Sequence, residues 1–197
     1  MSETQSGRPT PHMIRLFHRF SGLLGRQPDD GFICEPELPE QPLVHVALWR
    51  PDRDSDVTSL QTFGMSAKPM PNSTTRAELH LGCREPLDEA QCEQLAYLLA
   101  HLAAYPFLHR VPLDWWEIIP NAGHLPGFPG CRHLLLHPRL AEESTDEIDD
   151  EEGTIKLLYV VPITEYERRL LVEQGREAFL DHLVLNRIDL LKDRSDS

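Results

Sequence analysis

The chain has 197 residues, enough to bury a substantial core as one large domain or two small ones. Apolar residues make up 40% of it, and no run of about 18 of them occurs, which excludes a spanning helix. A formal net charge of −13 repels phosphate backbones and sets nucleic acid aside as a partner, and the opening residues lack the basic-then-apolar order of a secretory signal, so a cytoplasmic protein is expected.

Residues 1–11, with Ser, Gly and two prolines, read as a loose tail. Residues 12–24 set Ile14, Leu16, Phe17, Phe20, Leu23 and Leu24 at helical spacing, and Gly25 supplies a stop. Residues 25–42 are rich in Pro, Asp and Gly and read as a connecting loop. Three strands follow, at 43–49, 57–63 and 76–81. In the third, Ala77, Leu79 and Leu81 share one face while Arg76, Glu78 and His80 share the other, the alternation of a sheet buried on one face only.

Residues 88–105 are the clearest helix. Asp88 caps it, Gln91 reaches back in a capping box, and Cys92, Leu95, Ala96, Leu99, Leu102 and Ala103 form its buried face. Pro106 is expected to end it. Strands at 115–119 and 131–137 are separated by a turn-rich stretch, and 155–161 reads as a central strand. Thr164 and Glu167 form a second capping box opening a helix at 165–174. A last helix at 176–191 carries Leu180, Leu183, Val184, Ile188 and Leu191 on one stripe. About six strands and four helices in irregular order predict an α+β fold, with a mixed, mainly antiparallel sheet in one domain over 12–197.

Much of the charge is local. Glu142, Glu143, Asp146, Glu147, Asp149, Asp150, Glu151 and Glu152 crowd into an acidic loop at 141–153, which would steer a basic protein toward it. The adjacent Trp115 and Trp116 point opposite ways if they lie on a strand, so one of them is available as an interface anchor. Trp115 and Trp116 with Glu147, Asp149, Asp150, Glu151 and Glu152 are therefore the candidate protein-binding residues. A single patch that also includes Trp49 is the arrangement to look for.

Catalysis and metal binding find little support. The four cysteines are scattered without a Cys-x-x-Cys pair and read as reduced thiols. His133 and His137 are four apart, but on a strand that spacing is about 13 Å, too far for one ion. Ser66 follows Gly64-Met65 without a Gly-x-Ser-x-Gly elbow, and no phosphate-cradling loop is present. No catalytic residue, cofactor or metal is assigned.

Several landmarks carry a resemblance. They are Thr62-Phe63-Gly64-Met65-Ser66, then Arg76-Ala77-Glu78-Leu79, the helix before Tyr105-Pro106, the stretch 116–137, and Pro162-Ile163-Thr164 with Glu167. In this order they resemble the suppressor-of-fused domain family, specifically its compact single-domain bacterial type. The resemblance implies a protein-binding module without catalysis. In animals the family restrains Hedgehog signalling by binding Gli transcription factors. Many bacterial members are associated with polymorphic toxin systems as immunity proteins. For this acidic chain the resemblance implies an immunity protein that blocks a partner toxin, with a basic toxin domain as the natural target. A regulatory or scaffolding module that sequesters a non-toxin partner is the alternative.

Overall fold

A computed structural model describes residues 8–36, 40–139 and 145–195. Eight strands form one sheet: β1 (Asp30–Cys34), β2 (Val44–Trp49), β3 (Thr58–Phe63), β4 (Arg76–Cys83), β5 (Ile118–Ile119), β6 (His133–His137), β7 (Glu147–Asp150) and β8 (Gly153–Ile163). The strand order is β1-β2-β3-β4-β8-β6-β5, with β7 paired to β8 off that path. All pairings are antiparallel except β4 with β8, where Arg76 aligns with Ile155 and His80 with Tyr159. The fold is α+β with a mainly antiparallel sheet, as expected; the strand count rises to eight.

Three helices cover the sheet: α1 (Pro11–Leu23), α2 (Glu89–His109) and α3 (Glu165–Leu185). Alternation along the strands sorts side chains into two layers. Val46, Leu48, Leu60, Leu79, Leu81 and Val160 pack under Leu95 and Leu99 of α2. Ala47, Trp49, Phe63, Ile155, Leu157 and Val161 pack under Met13, Leu16 and Phe20 of α1 and Leu171 and Phe179 of α3. The sheet is thus buried on both faces, which corrects the one-sided reading of β4. Arg76 is 5% exposed and Glu78 0% exposed. Their charges had suggested solvent, but polar partners on the same face satisfy them and α1 closes over them.

Other boundaries shift for local reasons. The stretch read as a loop contains β1, which pairs with β2 from Asp30 opposite Leu48 to Cys34 opposite Val44. Helix α2 runs through Pro106 and stops only at Arg110, in the left-handed conformation (φ 56°). Burial of Pro106 and Phe107 against the core outweighs the lost backbone bond. Both capping boxes form as read, and Thr10 makes a third at the start of α1. Residues 8–10 therefore belong to the fold, while 1–7 of the expected tail lie outside the described residues.

Helix α3 joins the two late helices across a break at Gly175 (φ 89°, ψ −178°). The break re-aims the second half so that Phe179 is its buried anchor; of the expected stripe, Leu183 packs in part against this layer while Leu180 and Val184 (75% exposed) face solvent. Beyond α3 the chain returns to the sheet. The Arg194 guanidinium donates to Glu167 (2.8 Å) and to the Pro162 carbonyl (2.5 Å), and Asp193 accepts from the Gly130 amide (2.8 Å). A side chain on Gly130 would collide with the Arg194 backbone.

Candidate protein-binding site

The turn after β3 is built around one carboxylate. Glu78 accepts from the Gly64 amide (2.8 Å), the Ser66 amide (3.0 Å), the Ser66 hydroxyl (2.6 Å) and the Thr62 hydroxyl (2.7 Å). Gly64 adopts φ 117°, and a Cβ there would strike the Leu43 carbonyl, so the turn requires glycine. Met65, 0% exposed, fills the core beneath. Burial raises the Glu78 pKa, opposed by the four hydrogen bonds. The Gly-Met-Ser and Arg-Ala-Glu-Leu landmarks are therefore two halves of one polar knot.

The knot continues into α1. His12 Nε2 lies 2.9 Å from the Ser66 hydroxyl, and His12 Nδ1 lies 3.0 Å from the Asp150 carboxylate. Serine, histidine and aspartate here stand in the order of a hydrolytic triad. Ser66 is 0% exposed, however, and its hydroxyl is also held by Glu78, so no substrate carbonyl reaches it. Burial lowers the His12 pKa, reinforced by the charge of Arg76 and opposed by Asp150. Burial pushes the Asp150 carboxyl up, but a backbone bond from Glu151 and the charges of His12, Arg15 and Arg76 outweigh it and leave its pKa lowered. Arg76 donates to the Ser66 carbonyl (2.7 Å) and pairs with Asp150 (3.4 Å) and Glu152 (3.3 Å).

The acidic stretch is a β-hairpin where it was read as a loop. Residues 147–150 pair with 153–156, with Glu151 and Glu152 at the turn; residues 141–144 lie outside the described residues. Asp150 is consumed by α1, and Arg15 pairs with both Asp150 and Glu151 at 3.7 Å. Arg19 donates to the Asp149 carbonyl (2.6 Å). The side chains that face solvent are Glu147, Asp149, Glu151 and Glu152.

Trp115 and Trp116 do point to opposite faces, but from a turn just before β5. The Trp115 indole donates to the Leu157 carbonyl (2.9 Å), and its ring lies under Lys156 on the α2 side. Trp116, at φ 71°, packs on the α3 side against His137 and under Arg176. Trp49 is 1% exposed. The three rings do not make one patch; each half-exposed ring instead offers a cation-covered edge on its own face.

Among the described residues, no group of three His, Cys, Asp or Glu is placed to hold a metal ion. His133 pairs with Glu165 (2.8 Å), His137 contacts the Arg139 carbonyl, and His124 sits in an exposed loop. All four cysteines are free thiols, and burial pushes Cys83 and Cys131 up to about 11. No helix among the described residues is long and apolar enough to cross a membrane. Sequence reasoning missed the Glu78 knot, although its residues were the quoted landmarks. The signal was the recurrence of Thr, Ser and Glu on elements that are otherwise apolar.

Solved structures with this fold include a suppressor of fused homolog from Neisseria gonorrhoeae FA 1090, at 15% identity and TM-score 0.71, covering 92% of this chain and 93% of that one. A chain of the Sufu-Fu complex matches at 15% identity and TM-score 0.64, covering 94% and 91%. Drosophila Suppressor of Fused matches at 15% and 0.63, covering 98% of this chain and 52% of its own. At such identity the likeness is one of fold. No curated protein sequence is matched. The family model for suppressor of fused protein matches residues 40–194, most of the chain, and on that match the chain belongs to the suppressor of fused family.

Proposed function

We propose that this protein is a non-catalytic binding module whose partner is another protein, and that it acts as an immunity protein blocking a basic toxin domain. One observation carries the non-catalytic part. The serine-histidine-aspartate arrangement of Ser66, His12 and Asp150 is sealed, with Ser66 0% exposed and tied to Glu78. The solvent-facing Glu147, Asp149, Glu151 and Glu152 supply a negative surface held rigid by the hairpin. Such a surface steers a cationic partner, and the body of the domain then occludes the partner's cleft. A regulatory role toward a non-toxin protein is the second reading, favoured by the fold shared with a chain of the Sufu-Fu complex.

Affinity capture from the native cells, at low and high salt, tests both. A near-stoichiometric basic toxin domain that is lost in high salt supports immunity. A regulatory protein retained in high salt overturns it. Lysine at Glu147 and Asp149 together should then weaken capture at least tenfold while leaving the melting temperature nearly unchanged.

A further inference from the structure

The ends of the sheet are unequal. At one end, β5 is two residues long, and the off-path β7 carries Glu147, Asp149 and Asp150 along its four residues. Short edges and charged edges resist the addition of another strand. At the other end, β1 has five residues, Asp30 to Cys34, and pairs with β2 alone. Gly31, Phe32, Ile33 and Cys34 carry no charge, and Pro28 and Pro36 fall outside the strand. Alternate amides and carbonyls of such a strand point away from its neighbour.

Hollows flank this edge on both faces. On the α1 face, Pro9, Phe17, Ile33, His45 and Phe63 line a cavity of about 420 Å³. On the α2 face, Ile33, Cys34, Val44, Tyr97 and Leu108 line one of about 280 Å³. Ile33 itself is 54% exposed. Successive side chains of an added strand point to opposite faces, so they would drop alternately into the two hollows.

Charge selects the occupant. Asp29 and Asp30 stand at one end of β1 and Glu35 and Glu40 beyond the other; Arg26 and Arg50 offset the first pair in part. A second copy laid antiparallel about Phe32 would set Asp29 against Glu35 twice, between two chains of net charge −13. We infer that the open edge of β1 binds an extended peptide segment of a partner protein by strand addition, apolar at consecutive positions so that both hollows are filled, and basic at its ends. The surface is distinct from the acidic hairpin, and this inference goes beyond the proposed function without depending on a toxin partner.

The test uses the full chain and a fluorescein-labelled peptide of consecutive Val and Ile residues between Lys-Arg ends. Saturable binding, with slowed hydrogen exchange at Asp30–Cys34, is expected. Methylating the amide nitrogens on one edge of the peptide should weaken binding at least tenfold, as should replacing its basic ends by Glu. Ile33→Lys should weaken it at least tenfold with an unchanged melting temperature. Equal binding of the methylated peptide, or protection confined to other strands, overturns the inference. So does a dimer by light scattering whose β1 amides are already protected without peptide, which would make the second copy the occupant.

Discussion

The two faces of the sheet are closed by different physics. Helix α2 buries nine side chains, all apolar: Cys92, Leu95, Ala96, Leu99, Ala100, Leu102, Ala103, Pro106 and Phe107. Helix α1 buries five, of which His12 and Ser21 are polar, and adds Arg15 and Arg19 contacts to the acidic hairpin. Apolar area is indifferent to salt and to pH near neutrality, whereas ion pairs respond to both. The α2 face therefore fixes the fold, and the α1 face is the adjustable one.

The strongest way to break this division is at the knot that underlies α1. Glu78→Ala leaves four donors without their acceptor in a site closed to water and should cost about 3–5 kcal/mol in urea unfolding. Glu78→Gln keeps an acceptor and should cost distinctly less. Leu99→Ala, at 0% exposure under α2, should cost about 2–5 kcal/mol, with the same loss at low and high salt. Asp150→Asn should cost about 1–3 kcal/mol and speed hydrogen exchange in Pro11–Leu23 ahead of α2. High salt should reproduce part of that exchange in the unaltered protein. If Leu99→Ala is salt-dependent, or Asp150→Asn loosens α2 as much as α1, the division fails.

The smallest effect is the pH profile. His12 is held below its ordinary 6.5, and burial pushes His80 down to about 4. Both stay neutral in the fold while the unfolded chain takes up protons, so their contribution is full above pH 6.5 and is lost as pH falls toward 4. Glu78, raised by burial, runs the other way, and its contribution is lost as pH rises above 4.5. The opposed slopes partly cancel between pH 4.5 and 6.5. Glu78→Gln should therefore steepen the acid-side loss of stability, measured as denaturation midpoint against pH; an unchanged slope would remove Glu78 from the balance.

What was legible in the sequence follows from what each element uses. Helix α2 announces itself because period 3.6 and the Asp88–Gln91 box agree, and the Thr164–Glu167 box marks the start of α3 equally well. Strand β1 stayed hidden because an edge strand needs no strict alternation, and Asp30-Gly31 reads as a turn. Pro106 misled because local chemistry argues for a stop where tertiary packing of Phe107 prevails. At the candidate site, Trp115 and Trp116 do face opposite ways, but through a turn with Trp116 at φ 71° and not through the strand alternation their adjacency suggested. The use of Asp150 as an anchor for His12 and Arg76 was not readable, because those three positions meet only after the chain has folded.

The segment that returns to the sheet after α3 has a consequence for biosynthesis. Asp193 and Arg194 close over Gly130, Pro162 and Glu167, positions completed much earlier in translation. While Asp193 and Arg194 are still inside the ribosome, the amide of Gly130 lacks its carboxylate and Glu167 lacks its guanidinium. The domain therefore cannot close until Arg194 has left the ribosome, so a nascent chain stalled with Asp193 still inside the exit tunnel should be protease-sensitive and one stalled with Arg194 well outside it resistant.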